Sequence, residues 1–353
     1  MIRLAKVLAI SLLLAACAGS NPYYDPSKSH HRPNGFNNNY IDNSTIGDGL
    51  LKWRWDALIH GIPEQHLERV PRKAPDLALL RANRSDVTVT FIGHATAFWQ
   101  IAGLNVLTDP QFSERASPVG FAGPKRLIPL PMQLKDLPHV DLVLVSHNHY
   151  DHLDLDTVLA LNQQAGGPPL FVVPLGVDLW MKEQGITNVK ALDWWDSHPV
   201  GAAKVTLVPV QHWSSRTPFD RHHTLWGGFV LQAPVAGQPY SMFFTGDTGY
   251  SADFKNIGVK FGGFDFSQIA VGCYAPRWFM HDQHVDEDAA VKIHLDVKSR
   301  LSMGVHWGAF RLCDDPLEAP IDGLPKARAA HGVADDAFVL FAIGETRVLK
   351  QGP

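Results

Sequence analysis

The stretch Ser146-His-Asn-His-Tyr-Asp-His-Leu153 follows directly on the apolar run Asp141-Leu-Val-Leu-Val145. Its pattern, His-x-His-x-Asp-His, sets four potential metal ligands within six residues. Extended backbone alternates its side chains with period two, so His147 and His149 project to one side and can grip one ion. Asp151 and His152 come where the chain must turn, which places them for a second ion. Imidazole nitrogen and carboxylate oxygen are donors that zinc and its first-row neighbours accept at about 2.0–2.2 Å. A histidine-rich surface loop would explain two His at i, i+2. Four donors in this order at the mouth of a strand-like run outweigh that reading.

Four residues cannot saturate two ions, so further donors are required downstream. Three other strand-like runs end in suitable residues. Lys204-Val-Thr-Leu-Val-Pro-Val210 leads into Gln211-His-Trp213, Ser241-Met-Phe-Phe-Thr245 into Gly246-Asp-Thr-Gly249, and Leu301-Ser-Met-Gly-Val305 into His306-Trp-Gly308. Any one of them alone reads as a capping or hydrogen-bonded residue. The order His, Asp, His after the first motif is specific.

That order resembles the metallo-β-lactamase fold superfamily. The resemblance implies one ion on His147, His149 and His212, a second on Asp151, His152 and His306, and Asp247 bridging both. It narrows to the N-acylphosphatidylethanolamine-hydrolysing phospholipase D enzymes. The residues that carry it include Gly93-His-Ala-Thr96, Leu107-Thr-Asp-Pro110, Gly123-Pro-Lys-Arg126, Leu192-Asp-Trp-Trp195, Gln211-His-Trp213, Gly246-Asp-Thr-Gly-Tyr250, Pro276-Arg-Trp-Phe-Met280, Gln283-His-Val-Asp286 and His306-Trp-Gly308. These extend over roughly residues 88 to 345. The fold implied is α/β, an αββα sandwich of two mixed sheets flanked by helices. Short β-rich runs from Val87 onward, followed by strand–helix alternation beginning with a helix at Leu155, suggest the same architecture.

The activity implied is metal-assisted hydrolysis by two divalent ions, zinc being expected, which lower the pKa of a shared water. Asp151 is expected to orient that water or accept its proton, Asp247 to bridge the ions, and His284 to lie beside the scissile phosphate. Two divalent cations less the charges of Asp151, Asp247 and a hydroxide leave one positive charge, suited to a singly anionic phosphodiester. The expected products are phosphatidic acid and an N-acylethanolamine. Two alternatives stay open: a hydrolase of the same fold acting on a lactone or β-lactam, since fold does not set function, and a non-catalytic metal-binding lipoprotein.

Metal-bound histidines usually donate their other N–H to a carboxylate or carbonyl. Asp109, ending the run Leu104-Asn-Val-Leu-Thr108, is a candidate for that role, its competing reading being a turn Asp before Pro110. His94, Tyr150 and Gln283 are further candidates, behind the ligands or against substrate. Asp286 reads as the N-cap of a helix carrying Ala290, Ile293 and Val297. His30, His31, His222, His223 and His294 have no such context and are expected to be solvated or locally hydrogen-bonded. Trp180, Trp194, Trp195, Trp213, Trp226, Trp278 and Trp307 are candidates for an acyl-chain groove, with core packing as the competing reading.

Arg3 and Lys6 precede about ten apolar residues, Val7 to Ala16, too short to span a bilayer and suited to a secretory signal. Leu14-Ala-Ala-Cys17 resembles the bacterial lipobox, which implies a lipid-modified Cys17 anchored in the cell envelope. Ala18 after that cysteine suggests outer-membrane sorting. The rival is cleavage after Ala18, giving a secreted or periplasmic chain. Residues 1–17 are thus expected to be signal, 18–85 tether and N-terminal extension, and 86–353 the hydrolase domain. The Asn-, Gly- and Pro-rich residues up to about 50 read as a tether or extended arm. With three cysteines in all, Cys273 and Cys313 are expected to be buried thiols rather than part of a disulfide framework. A net charge of −4 with mixed signs argues against a nucleic-acid partner and leaves a phospholipid and a membrane surface. Nothing in the sequence speaks to oligomeric state.

Overall fold

The computed structural model describes residues 20–43 and 49–349. The signal-like segment and Cys17 lie outside the described residues. A short hairpin, β1 (His31–Arg32) and β2 (Gly35–Phe36), precedes helices α1 (Leu50–His60) and α2 (Leu77–Ala82). Two seven-stranded sheets then make up the body.

The strands of the first sheet are β3 (Val87–Gly93), β4 (Thr96–Ile101), β5 (Leu104–Thr108), β6 (Leu142–Leu144), β7 (Leu170–Pro174) and β8 (Val189–Leu192), with β16 (Thr346–Leu349) beside β3. Those of the second are β9 (Ser197–Val200), β10 (Ala203–Val208), β11 (Gly228–Val235), β12 (Gln238–Phe244), β13 (Phe266–Ala270), β14 (Ser302–Val305) and β15 (Phe338–Val339), in that spatial order. Each sheet is mixed. Pairing is antiparallel from β16 through β5 and parallel from β5 to β8. It is antiparallel from β9 to β12 and parallel from β12 to β15. This is the αββα sandwich expected from the sequence.

Period-two alternation builds the layers. Leu142 and Leu144 of β6 and Val172 of β7 face the second sheet, meeting a core that includes Leu207, Phe229, Leu231, Phe244 and Ile269. The intervening Val143, Phe171 and Val173 turn outward and are covered by Val158 and Leu161 of α3 (Leu155–Asn162) and by Val177 and Met181 of α4 (Val177–Glu183). On the other side lie α5 (Asp253–Phe261), the short α6 (Arg277–Met280), α7 (Glu287–Asp296) and α8 (Ala319–His331). Asp286 caps α7 as its position suggested, its carboxylate accepting the Ala289 N–H.

Residues 20–43, expected as a tether or extended arm, form a series of turns around the β1–β2 hairpin and are held against the body. Phe36 is buried, the Tyr23 hydroxyl donates to the Asp178 carboxylate at 2.8 Å, and Lys28, His30 and His31 converge on Asp193 at 2.5, 2.7 and 2.9 Å. The two histidines have a distant partner in sequence, which a reading of neighbours alone could not supply. At its far end the Asn38 side chain pairs with both backbone groups of His212.

Candidate metal centre

Parallel strands deliver their C-terminal ends to one edge of a sheet. The residues after β5, β6, β10, β12 and β14 therefore gather along one side of the sandwich. His147 Nε2 lies 2.8 Å from His149 Nδ1, which is 3.4 Å from His212 Nε2. Beside them, His152 Nε2 and His306 Nε2 each lie 3.1 Å from Asp247 Oδ2 and 3.1 and 3.3 Å from Asp151 Oδ2. Donors spread tetrahedrally around zinc at about 2.0–2.1 Å are spaced roughly 3.3 Å apart, so both groups have the dimensions of an ion's cage. Asp247 Oδ2 stands between them, 3.8 Å from His212 Nε2 and 4.0 Å from His147 Nε2. All seven side chains assigned to the metals from the sequence meet here.

The opposite ring nitrogens identify which atoms face the centre. His152 Nδ1 donates to Asp109 Oδ2 at 2.6 Å, His212 Nδ1 to the Gln283 carbonyl at 2.9 Å, and His306 Nδ1 to the Gly272 carbonyl at 3.3 Å. His147 Nδ1 lies 2.9 Å from the Ser146 hydroxyl, which itself donates to Asp109. Each of these rings thus presents Nε2 with its lone pair inward. Ring nitrogens facing one another this closely repel unless a proton or a cation lies between them. The buried His149 Nε2, Asp247 Oδ1 and His284 Nδ1 make no hydrogen bond. The donor set therefore fits metal ions.

Local backbone requirements explain two glycines. Gly246 has φ +61, and a Cβ there would come within 2.5 Å of the Ser146 Cβ. A Cβ on Gly272 would strike the His306 carbonyl at 2.3 Å. Both let neighbouring strand ends approach closely enough to share ions.

Residues 104–307 match the family model described as a beta-lactamase superfamily domain. The chain belongs to the metallo-β-lactamase superfamily. It is a metal-dependent hydrolase of that fold. A Caenorhabditis elegans protein named N-acyl-phosphatidylethanolamine-hydrolyzing phospholipase D 1 is 39% identical over 276 residues, covering 74% of this chain and 76% of the worm protein. A mitochondrial protein of Saccharomyces cerevisiae with the corresponding name is 34% identical over 256 residues, 70% of this chain and 53% of the yeast protein. The solved structure of an isothiocyanate hydrolase from Delia radicum gut bacteria shares the fold, with a TM-score of 0.58, 20% identity and coverage of 74% and 98% of the two chains.

In this metallo-β-lactamase superfamily member the electrostatics of the centre follow from burial. It pushes His149 and His212 down to about 3 and His147 well below its usual range, leaving neutral imidazoles, the ligating form. Burial acts the same way on His152 and His306, but the neighbouring carboxylates outweigh it. Asp247 and Asp151 hold His152 well above the usual value and His306 up to about 9. Burial would raise Asp151 and Asp247, yet the charge on His152 holds both well below.

The centre opens into a cavity of about 290 Å³. His149, Asp151, Asp247, His284 and His306, with Gln283, Arg54 and Arg221, form its polar part, and Leu50, Trp53, Trp213, Phe279, Met280 and Leu312 its apolar walls. His284 stands where the resemblance implied, its Nδ1 3.8 Å from Asp247 Oδ2. His94 Nε2 donates to Asp151 Oδ2 at 2.8 Å and so orients that carboxylate.

Other sequence expectations are corrected. Tyr150 does not enter the metal cavity: the chain turns at residues 150–152, and its hydroxyl donates to the Arg216 carbonyl at 2.9 Å. Gln283 stands as expected, its carbonyl accepting from His212 Nδ1 and the residue lining the cavity, while its side-chain amide donates to the Phe279 carbonyl. Cys273 and Cys313 form a disulfide, with 5.0 Å between Cα atoms, since the loops after β13 and β14 meet at the cavity wall. Of the seven tryptophans considered for a groove, only Trp213 lines the cavity; Trp194, Trp226 and Trp307 are core. Trp53, from α1, lines it instead. The Ser146 hydroxyl and the Gly272 carbonyl were missed, the second because a backbone carbonyl leaves no residue-type signal.

Proposed function

We propose that this protein is a dinuclear, zinc-dependent phosphodiesterase that hydrolyses N-acylphosphatidylethanolamine or a closely related phospholipid at the head-group side of phosphorus, releasing phosphatidic acid and N-acylethanolamine. The observation that carries this reading is the placing of Asp247 between two ligand groups at the base of a cavity with apolar walls. A phosphodiester needs the first feature and lipid chains need the second.

Bound ions would polarise the phosphoryl oxygens and activate a water. His147, His149 and His212 would hold one, and Asp151, His152 and His306 the other, with Asp247 between the two groups. Asp151, oriented by His94, aims the attacking water and takes its proton. His284, kept neutral because burial pushes it down to about 3, offers a hydrogen bond to the phosphoryl group. The P–O bond to the head group breaks as the bond to water oxygen forms, and the departing alkoxide takes up the proton that Asp151 received from the water. Arg54 and Arg221, each stacked on a tryptophan at 4.3 and 4.6 Å, add positive charge to the cavity wall.

A membrane surface is the proposed workplace. Leu51, Trp55, Leu58 and Ile59 of α1 recur at i, i+4, i+7 and i+8, and this stripe faces outward, 86, 63, 74 and 58% exposed. Only Trp53, on the opposite side, is buried. Such a helix lies in a lipid interface, and Leu50 and Trp53 connect it to the metal cavity. Among the described residues no helix is long and apolar enough to cross a membrane. A lipid on Cys17, in a bacterial cell envelope, would supply the anchor. The test incubates metal-loaded protein with N-acyl, unmodified and lyso phosphatidylethanolamine, a lactone and nitrocefin. Release of N-acylethanolamine supports the reading, and turnover confined to the lactone or nitrocefin rejects it.

A further inference from the structure

On the face of the ligand loop turned away from the metals, one nitrogen closes the loop. Arg216 Nη1 donates to the Asn148 and Leu153 carbonyls, each at 2.8 Å. These two carbonyls bracket His149, Asp151 and His152, ligands belonging to both metal groups. The guanidinium lies 4.0 Å from the centre of the Tyr150 ring and 4.5 Å from that of Trp180. Its backbone is tied down too: the Tyr150 hydroxyl donates to its carbonyl, and its N–H donates to the Asp220 carboxylate at 3.0 Å. Arg216 is four residues past His212, so the same side chain ties the first ligand loop to the segment carrying the third histidine. It lines a separate cavity of about 430 Å³ with Tyr150, Asp154 and Trp180 and is not part of the metal cavity.

We infer that Arg216 is a positioning residue that sets the spacing of the two metal groups by clamping the ends of the ligand loop. A flat guanidinium between two rings can point one nitrogen at two carbonyls. A lysine ammonium, a flexible point charge, cannot reproduce that stacked geometry. Without the clamp only the backbone bonds from the His152 and Leu153 N–H groups to the His149 carbonyl hold the loop, and the carbonyls of residues 148 and 153 lose their shared donor. The inference rests on the metal-binding reading of the loop but not on the identity of the substrate.

The experiment loads the full chain with zinc and follows transfer of the metal to a chromophoric chelator. Loss of an outer partner of a metal ligand typically weakens binding by about 10–100-fold. Zinc release from Arg216→Ala should accelerate by that factor, and release from Arg216→Lys by several-fold. Millimolar methylguanidinium should refill the gap between Tyr150 and Trp180 and slow release from Arg216→Ala, with no effect on the wild type. At saturating zinc, kcat should fall while KM stays within about twofold, because the side chain does not touch the substrate cavity. Wild-type release rates in Arg216→Lys, or fast release that methylguanidinium does not slow, would overturn the proposal. A wild-type chain that takes up no zinc would instead defeat the metal reading itself.

Discussion

Asp109 Oδ2 and His152 Nδ1 lie 2.6 Å apart with both side chains wholly buried. The same carboxylate also accepts from the Ser146 N–H and hydroxyl. Asp109 therefore sets the tautomer of one ligand while holding the first residue of the ligand loop. Asp109→Asn offers an amide in place of that acceptor and should reduce metal affinity by about 10–100-fold, measured as bound zinc per chain after dialysis against graded chelator. Unchanged zinc content would remove Asp109 from the centre.

Asp247→Asn replaces the carboxylate between the two ligand groups by a neutral amide. The proposed shared ligand disappears, so turnover should be abolished and bound metal should fall below two ions per chain. Full activity at normal metal content would contradict the shared role.

Exchanging Leu51, Trp55 and Leu58 together for serine removes the outward stripe of α1 without touching Trp53. Hydrolysis of phospholipid in vesicles should drop by at least about tenfold, while hydrolysis of the same lipid dispersed in detergent should hold. An equal loss in both would assign the stripe to folding.

Glu287 provides a pH prediction remote from the metal ligands. Burial, with Asp286 and Asp315 nearby and a Tyr274 hydrogen bond opposing, raises it from 4.5 to about 7. Below pH 4.5 both folded and unfolded chains carry its proton. Between 4.5 and 7 only the folded chain does, so rising pH removes stability over that window, by at most about 3 kcal/mol at 1.36 kcal/mol per unit. Glu287→Gln should accordingly gain on the wild type in melting temperature at pH 8 and lose that advantage by pH 4. A constant difference across that range would refute it.

The Cys273–Cys313 bond closes a loop with a sequence separation of 40 residues. The chain-entropy relation assigns it roughly 4 kcal/mol, so the Cys273→Ser, Cys313→Ser double variant should melt several degrees lower. An unshifted melting curve would mean that the bridge does not stabilise the native chain.

The ligand cage was legible because its chemistry is written in short, local patterns. His147 and His149 share a face by period two, and His212, Asp247 and His306 each follow an apolar run, so strand ends could be read one at a time. Asp109 was legible for the same reason, as the residue after β5. Residues whose roles depend on a distant partner were not. Arg216 sits in a polar segment like many others, and nothing in it announces the carbonyls of Asn148 and Leu153. His30 and His31 carry no local sign of Asp193, and Tyr150 shares the motif without sharing its direction.

From the chain alone came the residue types that bind metal, their order, and the alternation that sends them to one side of each strand, because these are properties of neighbouring residues. The tertiary structure alone decided which strand ends lie together, which carbonyl completes each imidazole, and that two separated cysteines meet. Those outcomes depend on how two sheets pack face to face, and packing joins positions that no local pattern connects.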